Sequence, residues 1–326
     1  MNKIGMVAFY FGKLPNYFSL WLKSAELNVN IDFLLFIDDK SYQSYPQNVY
    51  VHYTSFVEIV EKTSSLFDFP INLTRPYKFC DYRPAFGYIF ERELKGYDYW
   101  GTVDLDIIMG NINKFITNEI LEKYDRILTR DHFTIYRNSL EINRRFMSPS
   151  QFYGLNYKIV FSSPKIFAFG ERKDYGVYHI WKQNGWEMYD EPIVADINYK
   201  YYRFKVNDCR GFERTQSNKQ IFVWNSLSNN GILTQYSEKN GKVFKKEFMY
   251  IHLQKREIKL FVYKDLNAYI ISPRGIFMYA IENIDSKIIN SYMEKNAWIR
   301  EIQHYLSRVK IKFKKKLIST LGNLEK

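Results

Sequence analysis

Short apolar strands alternate with amphipathic helices through the first hundred residues, and this alternation limits the fold more than any other feature. A strand is indicated by an apolar, β-prone run without a helical stripe, and a helix by apolar residues every three or four positions. Strands that alternate with helices form parallel βαβ units in a doubly wound sheet. The pattern predicts strands at Ile4–Phe11, Ile31–Ile37, Val49–Tyr53 and Tyr97–Val103, and helices at Asn16–Leu27, Phe56–Leu66 and Pro84–Glu93.

The rest of the chain is less regular, and it ends in a helical pattern. Asn240-Gly241 is typical of a two-residue β-hairpin turn. From Ile302 to Leu321 apolar residues recur every three or four positions, which predicts an amphipathic C-terminal helix. Further strands are predicted at Arg126–Thr129, Lys165–Phe169 and Gln220–Trp224, with a hairpin of residues 232–236 and 242–250.

The charge and the missing motifs narrow the class of protein. A net charge of +12 favours acidic partners such as nucleic acid, anionic lipid or phosphorylated small molecules. Two cysteines are too few for a disulfide framework. The absence of GxxxxGKS/T, GxGxxG, GxSxG and HExxH motifs argues against P-loop kinases, Rossmann dehydrogenases, α/β-hydrolases and zincins. Without a signal-peptide pattern or a long apolar run, we expect a cytoplasmic protein.

Asp104-Leu105-Asp106 follows a predicted strand and is the first candidate site. Two carboxylates at positions i and i+2 of an extended chain point to the same side, where they can share a hard divalent cation. The pair lies between apolar segments, and a buried carboxylate is costly without a partner. The alternative is that both residues only cap the segment that starts at Asn111.

Two more polar clusters fall where the sheet should bind a ligand, beyond the carboxyl ends of its strands. Asp38, followed by Asp39, ends a strand and can accept hydrogen bonds from a ribose or a base; the alternative is a turn residue. Lys78, Asp81 and Arg83 precede a predicted helix, whose N-terminus favours a diphosphate. Their alternative is a capped helix with a local Asp–Arg pair.

Later in the chain, isolated polar residues follow strand-like segments. His252 can complete a carboxylate–metal set, and Lys255 can neutralise a leaving diphosphate, although a lone histidine is usually structural. Trp186 precedes Asp190 and Glu191, a combination typical of a sugar-acceptor wall with a carboxylate that takes a proton. The alternative is a helix start with Asp190 as its N-cap.

The C-terminal tail is strongly basic. Residues 308–316 contain six cations and no acid. Together with the apolar stripe, this pattern favours an anionic membrane surface as a partner of residues 308–326. The alternative is a solvated basic helix packed on the domain.

Taken in order, these segments resemble a bacterial GT-A-type glycosyltransferase of surface-polysaccharide biosynthesis. The resemblance rests on the DxD sequence Asp104-Leu105-Asp106 after a Tyr/Asp-rich strand, on the preceding segment Lys78–Pro84, and on Thr129–Asn138, which is similar to the acceptor-side segment of these enzymes. It covers about residues 1–260 and is strongest over residues 75–115.

The resemblance implies an α/β fold, a GT-A-like doubly wound mixed sheet with helices on both faces and a C-terminal amphipathic helical extension. It implies a nucleotide-sugar-binding half over residues 1–110, an acceptor-binding half over residues 111–260 and a basic helical extension over residues 261–326.

The resemblance also implies roles for individual residues. Mn²⁺ or Mg²⁺ would be bound by Asp104, Asp106 and His252, and the donor would be a UDP-sugar, with galactose or glucose as the hexose. Asp190 or Glu191 would be the acceptor-side carboxylate, and the acceptor would be a glycan or a lipid-linked oligosaccharide. The nucleotide-sugar would be contacted by Phe9, Tyr10, Asp38, Lys78, Asp81, Arg83, Asp104 and Lys255, and the acceptor by His132 and Trp186.

Two other classes compete with this interpretation. A nucleotidyltransferase also uses paired aspartates and a metal, but it usually has a Gly/Arg/Lys-rich loop after its first strand. Here that loop is Phe11-Gly-Lys-Leu-Pro15, which is poor in those residues. A basic nucleic-acid-binding protein is less favoured because the cations concentrate at the carboxyl end, so we expect no nucleic-acid partner.

Overall fold

The chain folds into two compact units with mixed α/β structure. The computed structural model describes residues 2–151, 155–173, 175–198, 204, 206–207, 219–226, 231–254, 258–262, 267–279, 283–299, 301–303, 305–306 and 309. The first unit comprises residues 1–193 and 229–231, and the second comprises 194–228 and 232–326. The expected division into a nucleotide-sugar-binding half, residues 1–110, and an acceptor-binding half, residues 111–260, concerns what each half binds and stays a prediction.

The first unit is built on a seven-stranded mixed sheet with the strand order β3-β2-β1-β4-β7-β6-β8. Strands β1 to β4 are parallel, β7 is antiparallel to β4 and to β6, and β8 is parallel to β6. A short strand, β5, follows β4 in the chain. The strands are β1 (Ile4–Tyr10), β2 (Ile31–Ile37), β3 (Val49–Tyr53), β4 (Tyr99–Val103), β5 (Ile107–Met109), β6 (Arg126–Arg130), β7 (Phe133–Arg137) and β8 (Met188–Tyr189).

Helices cover both faces of the parallel strands, because side chains alternate across a strand and both sets are apolar here. On one face, Val7 and Phe36 pack with Ile59 of α2 in a buried cluster. On the other face, the Trp21 ring of α1 lies 5.4 Å from the Phe33 ring. The helices are α1 (Phe18–Glu26), α2 (Phe56–Ser64), α3 (Phe86–Ile89), α4 (Ile112–Phe115), α5 (Asn118–Lys123), α6 (Tyr157–Ser162) and α7 (Val177–Gln183), with 3₁₀ turns at Pro76–Ala85 and Ile142–Met147.

Two predicted elements are wrong. The helix expected over Pro84–Glu93 is a 3₁₀ segment, Pro76–Ala85, followed by the single turn of α3. Pro84 lies inside the 3₁₀ segment and has no amide hydrogen to donate, so a regular α-helix does not run through it from Pro76. The strand expected at Lys165–Phe169 is irregular, because its backbone amides donate to the Asp81 carboxylate instead of a neighbouring strand.

The second unit contains a six-stranded sheet with the order β13-β12-β11-β16-β17-β15. The predicted hairpin is confirmed: β12 and β13 are antiparallel, and Asn240 and Gly241 have the positive φ angles, 53° and 78°, that a tight hairpin turn requires. Helix α8 (Ser286–Ser291) packs Ile289 against this sheet. The strands of this sheet are β11 (Gln220–Asn225), β12 (Ile232–Lys239), β13 (Lys242–Phe248), β15 (Leu260–Phe261), β16 (Ala268–Ser272) and β17 (Gly275–Met278).

Three shorter strands of the second unit pair with one another. Strand β9 (Val194–Ile197) is parallel to β14 (Tyr250–His252) and antiparallel to β10 (Val206–Asn207). Toward the carboxyl end, residues 297–299, 301–303, 305–306 and 309 are helical, and the other positions of the predicted basic tail lie outside the described residues. Within the part of the chain that the structure describes, no helix has the length and apolarity needed to cross a bilayer.

Candidate functional site

The candidate site of the first unit lies at the carboxyl ends of β1 and β4. The strand order changes direction between these two neighbours, and in open α/β sheets that is where ligands bind. Asp104 and Asp106 come directly after β4, in a turn that leads to β5. The extended conformation expected for this pair is therefore wrong, but a carboxylate oxygen of Asp104 still lies within 4.8 Å of one of Asp106.

Hydrogen bonds from two other elements hold the Asp104 turn in place. The Asp104 amide donates to the carbonyl oxygen of His132 over 3.0 Å, and the indole nitrogen of Trp21 donates to the Asp104 carbonyl over 3.2 Å. Asp106 is buried, with 5% of its surface exposed, whereas the Asp104 side chain is 21% exposed. The turn is thus fixed while one of its carboxylates reaches solvent.

Arg83 is the cation of this site, and it forms an ion pair with Asp104. Burial lowers the pKa of the Arg83 guanidinium, but the neighbouring Asp104 and Asp131 outweigh this effect and raise its pKa overall. Arg83 thus lies next to Asp104, whereas Lys78 and Asp81, the other two residues expected to bind the ligand in this segment, pair with each other.

Two tyrosines stand close to the aspartates. Burial raises the pKa of Tyr17, and the charges of Asp106 and Asp104 raise it further. The pKa of Tyr10, at the end of β1, is raised by burial and then by Asp106. Tyr10 therefore lies near Asp106, and its contact with a nucleotide-sugar stays a prediction. Phe9, the residue before it, is partly buried and stacks on Phe36 with 4.9 Å between the ring centroids. Its contact with a nucleotide-sugar also stays a prediction.

Asp38 and Asp39 hold the loop between β1 and α1. The amide of Gly12 donates to Asp38 over 2.7 Å, and the amide of Leu14 donates to Asp39 over 2.9 Å. Gly12 has a φ of 93°, a conformation that glycine adopts without strain. This arrangement matches the turn alternative for Asp38, and its contact with a nucleotide stays a prediction.

Lys78 and Asp81 form a fully buried ion pair, with 0% of either side chain exposed and 2.7 Å between Nζ and Oδ2. Lys78 also donates to the carbonyl oxygens of Val160 and Lys165, so its three donors are used within the protein. The pair therefore ties two segments of the first unit together. This role is structural. The local pair differs from the expected Asp–Arg alternative, because Asp81 pairs with Lys78 while Arg83 pairs with Asp104.

The expected acceptor-side residues occupy three different settings. His132 is buried in the turn between β6 and β7, with 6% of its surface exposed. Trp186 packs on Arg145, whose guanidinium carbon lies 4.4 Å from the ring centroid. Asp190 and Glu191 follow β8, and no helix begins there, so the helix-start alternative is wrong.

Sequence reasoning missed Asp131, which lies beside this site with 5% of its surface exposed. Its neighbour Gly170 is so close that a Cβ atom there would meet the Asp131 carboxylate at 1.9 Å. Burial, and after it the charge of Glu171, raises the pKa of Asp131 to about 8 against the opposing effect of Arg83. The signal that was available is one acidic residue directly after the buried strand β6.

Asp196 was missed as well. It pairs with His252 in the second unit, and the distance from Asp196 Oδ1 to His252 Nδ1 is 2.9 Å. A lone acid in the otherwise apolar strand Val194–Ile197 was the signal that could have found it. The role of His252 as a metal ligand stays a prediction, and Lys255 lies outside the described residues.

The first unit is thus a mixed α/β structure with a cluster of carboxylates at the carboxyl ends of β1 and β4. The chain belongs to DUF6625, a family of unknown function, whose family model matches residues 6–280. A search of curated proteins gives no significant match.

Proposed function

We propose that the protein is a metal-dependent glycosyltransferase with a GT-A-like fold. The reaction would move a hexose, galactose or glucose, from a UDP-sugar to a glycan or lipid-linked acceptor of a surface polysaccharide. The observation that carries the proposal is the pair Asp104 and Asp106, held in a fixed turn where the strand order changes direction. Closely spaced carboxylates are the oxygen ligands that Mn²⁺ and Mg²⁺ prefer.

The carboxylate oxygens of Asp104 and Asp106 are ligands that fit such an ion. Asp104 and Asp106 would hold it, and when bound it would offset the negative charge of a nucleoside diphosphate leaving group. Arg83 would add a second positive charge beside the ion, and Tyr10 would contact the nucleotide-sugar at the carboxyl end of β1. His252 and Lys255 remain predicted as a third ligand and a diphosphate contact. If the reaction inverts the anomeric centre, Asp190 or Glu191 would take the proton of the acceptor hydroxyl.

One observation disfavours the nucleotidyltransferase alternative. Such an enzyme needs the loop after its first strand to bind the phosphates of a nucleotide. Here the amides of Gly12 and Leu14 in that loop donate to Asp38 and Asp39. The loop amides that would have to bind a triphosphate therefore already donate hydrogen bonds to acidic side chains.

Thermal unfolding of the full chain with UDP, GDP, ADP and CDP, each with and without Mn²⁺, tests the proposed function. We expect UDP to stabilise the protein only when Mn²⁺ is present, by about 2.7 kcal/mol at 100 times its dissociation constant. Asp106→Asn should abolish this shift because it removes a charged metal ligand. Asp68→Asn is the matched control, since that side chain is 83% exposed and pairs only loosely with Lys158.

A stabilisation by UDP that needs no metal, or that survives Asp106→Asn, would contradict the metal site. Stabilisation by none of the four nucleotides would contradict the transferase itself. Steep, salt-dependent binding to single-stranded DNA would then favour the nucleic-acid alternative.

We further propose that the helical residues between 297 and 309, together with the basic sequence that follows them, bind the anionic inner face of the plasma membrane. Trp298, Ile302, Tyr305 and Leu306 are between 50% and 68% exposed, at helical spacing. Aromatic and aliphatic side chains of this kind insert at the interface, and the cations that follow in the sequence attract acidic lipids.

Sedimentation with lipid vesicles tests this membrane contact. We expect the protein to sediment with vesicles that contain phosphatidylserine and to remain in solution with phosphatidylcholine alone. Trp298→Ser combined with Leu306→Ser should reduce the sedimented fraction, whereas Val29→Ser, at another exposed apolar residue, should not. Unchanged sedimentation after deletion of residues 308–326 would contradict the proposal.

A further inference from the structure

The hairpin of β12 and β13 in the second unit has two different faces. On one face, Tyr236 and Val243 pack against the buried cluster that contains Ile289 of α8. The register partners Lys239 and Lys242 lie on the opposite face, because side chains alternate along each strand. Helix α8 therefore packs on the face that these two lysines do not share.

Near the turn, the opposite face consists of Lys239, Lys242, Phe244 and Lys246, and these four residues are called the basic hairpin face. All three lysines are exposed, and Phe244 is 52% exposed. Farther from the turn the same face is buried, since Phe248 has 4% of its surface exposed. Positive charge and apolar surface are thus both accessible at the turn end of the hairpin.

The positive charge of the basic hairpin face is not balanced within the hairpin. Lys239 and Lys242 stand directly opposite each other on neighbouring strands, an arrangement that is unfavourable for like charges. The two acids of the hairpin, Glu238 and Glu247, alternate to the face on which α8 packs. An anionic partner on the basic hairpin face would relieve the repulsion between the lysines.

Protection of a sheet edge explains part of this pattern. Strand β13 is an edge strand of its sheet, and lysines on such a strand discourage pairing with a further strand. Protection does not account for Phe244, because an exposed apolar side chain on an edge strand favours association instead. The ring lies two positions from Lys242 and two from Lys246, so it shares their face.

The surface of an acidic bilayer matches this combination of groups. An aromatic ring is accepted at the boundary between headgroups and acyl chains, while lysines beside it reach acidic headgroups on their long stems. A single-stranded nucleic acid matches it less well, because its bases stack on successive aromatic side chains. The second ring of this face, Phe248, is buried and gives no such platform.

We propose that the basic hairpin face is a membrane-contact surface: its lysines bind acidic phospholipid headgroups, and Phe244 inserts at the interface between them. This contact goes beyond the proposed function, since it requires neither a metal ion nor a nucleotide-sugar. It is also separate from the contact proposed for residues 297–309, which is a different segment of the second unit.

Titration of the full chain with vesicles of phosphatidylcholine, with and without phosphatidylserine, measures this contact. Each lysine near an acidic bilayer strengthens binding by about fivefold, so Lys242→Gln combined with Lys246→Gln should weaken binding to the acidic vesicles by about 25-fold. Lys245→Gln is the matched control. Lys245 is exposed on the same strand, but its ammonium stands over the Tyr236 ring on the α8 face, so its loss should weaken binding far less.

Substitutions of Phe244 test the insertion of the ring. Phe244→Ser should weaken binding to the acidic vesicles, whereas Phe244→Trp should retain it, because tryptophan also favours the bilayer interface. These positions are exposed, and surface substitutions change stability little, so each variant should melt near the temperature of the wild-type protein. A loss of binding then reports the contact and not the fold.

The outcomes separate this proposal from the others. Wild-type binding in the double lysine variant or in Phe244→Ser would overturn it, as would equal losses in the double lysine variant and Lys245→Gln. If Trp298→Ser combined with Leu306→Ser weakens binding and the hairpin variants do not, only the contact of residues 297–309 stands.

A different partner would also be visible in these measurements. If the double lysine variant loses binding to single-stranded DNA and keeps its binding to vesicles, the face binds nucleic acid and the proposal is overturned. If the wild-type chain binds no acidic vesicles, both membrane contacts are overturned, whereas the nucleotide test of the transferase is unaffected.

Discussion

Lys78→Met should lower the free energy of unfolding by about 3–5 kcal/mol, the range for breaking a buried ion pair by removing one partner. The substitution keeps most of the side-chain volume but leaves the Asp81 carboxylate without its cation. It also removes the donor to the carbonyl oxygens of Val160 and Lys165. Buried acceptors that lose their donor pay the full cost of desolvation.

Urea denaturation at neutral pH measures this loss, and Lys23→Met is its control. Lys23 pairs with Glu26, and these side chains are 41% and 48% exposed. Solvent-exposed pairs contribute about 1 kcal/mol or less, so the control should lose far less stability than Lys78→Met. Equal losses in the two variants would show that the Lys78–Asp81 pair is not sealed from water.

The sequence was most informative where the signal is local. Strands β2 and β3 have the predicted bounds. For β2 the reason is its nearly continuous apolar run, which is buried in the interior of a covered sheet, whereas β3 is a β-prone segment at the edge of the sheet. The hairpin at Asn240-Gly241 was equally predictable, since its turn needs positive φ angles that these two residues tolerate.

Long-range contacts decided what the sequence could not predict. The conformation of the Asp104 turn depends on Trp21 and on the turn that contains His132, both distant in sequence. Lys78 and Asp81 have the spacing of a ligand site or of an ion pair, and only their burial under residues 160–169 decides between the two.

Asp131 and Asp196 show the same limit for the candidate site. Asp196 is a single acid in an apolar strand, and Asp131 is a single acid directly after a buried strand. The neighbours that each side chain contacts are set by the tertiary structure. The register between β9 and β14 brings Asp196 to His252 across 56 residues of chain. A lone acid in an apolar strand signals a required partner, but it does not say which residue that partner is.

The stability of the protein should fall as the pH rises from about 4 to about 8, and Asp131→Asn should remove most of this dependence. Burial, together with Glu171, raises the pKa of Asp131 from 3.8 to about 8. Over this range the unfolded chain loses the proton while the folded protein keeps it. Folding therefore binds a proton, and stability decreases with pH until the folded carboxyl also ionises. The accumulated loss is on the order of several kcal/mol.

Unfolding free energies of the wild-type protein and Asp131→Asn, measured across this pH range, test the expectation. The advantage of the variant should grow with pH, because asparagine carries no proton to lose beside Glu171. Glu58→Gln is the contrasting control: hydrogen bonds from Ser55 lower the pKa of Glu58 below 4.5, so its contribution stays constant above about pH 5. Parallel pH profiles for the wild-type protein and Asp131→Asn would mean that the Asp131 carboxyl is solvated, and that Gly170 does not shield it from water as the structure indicates.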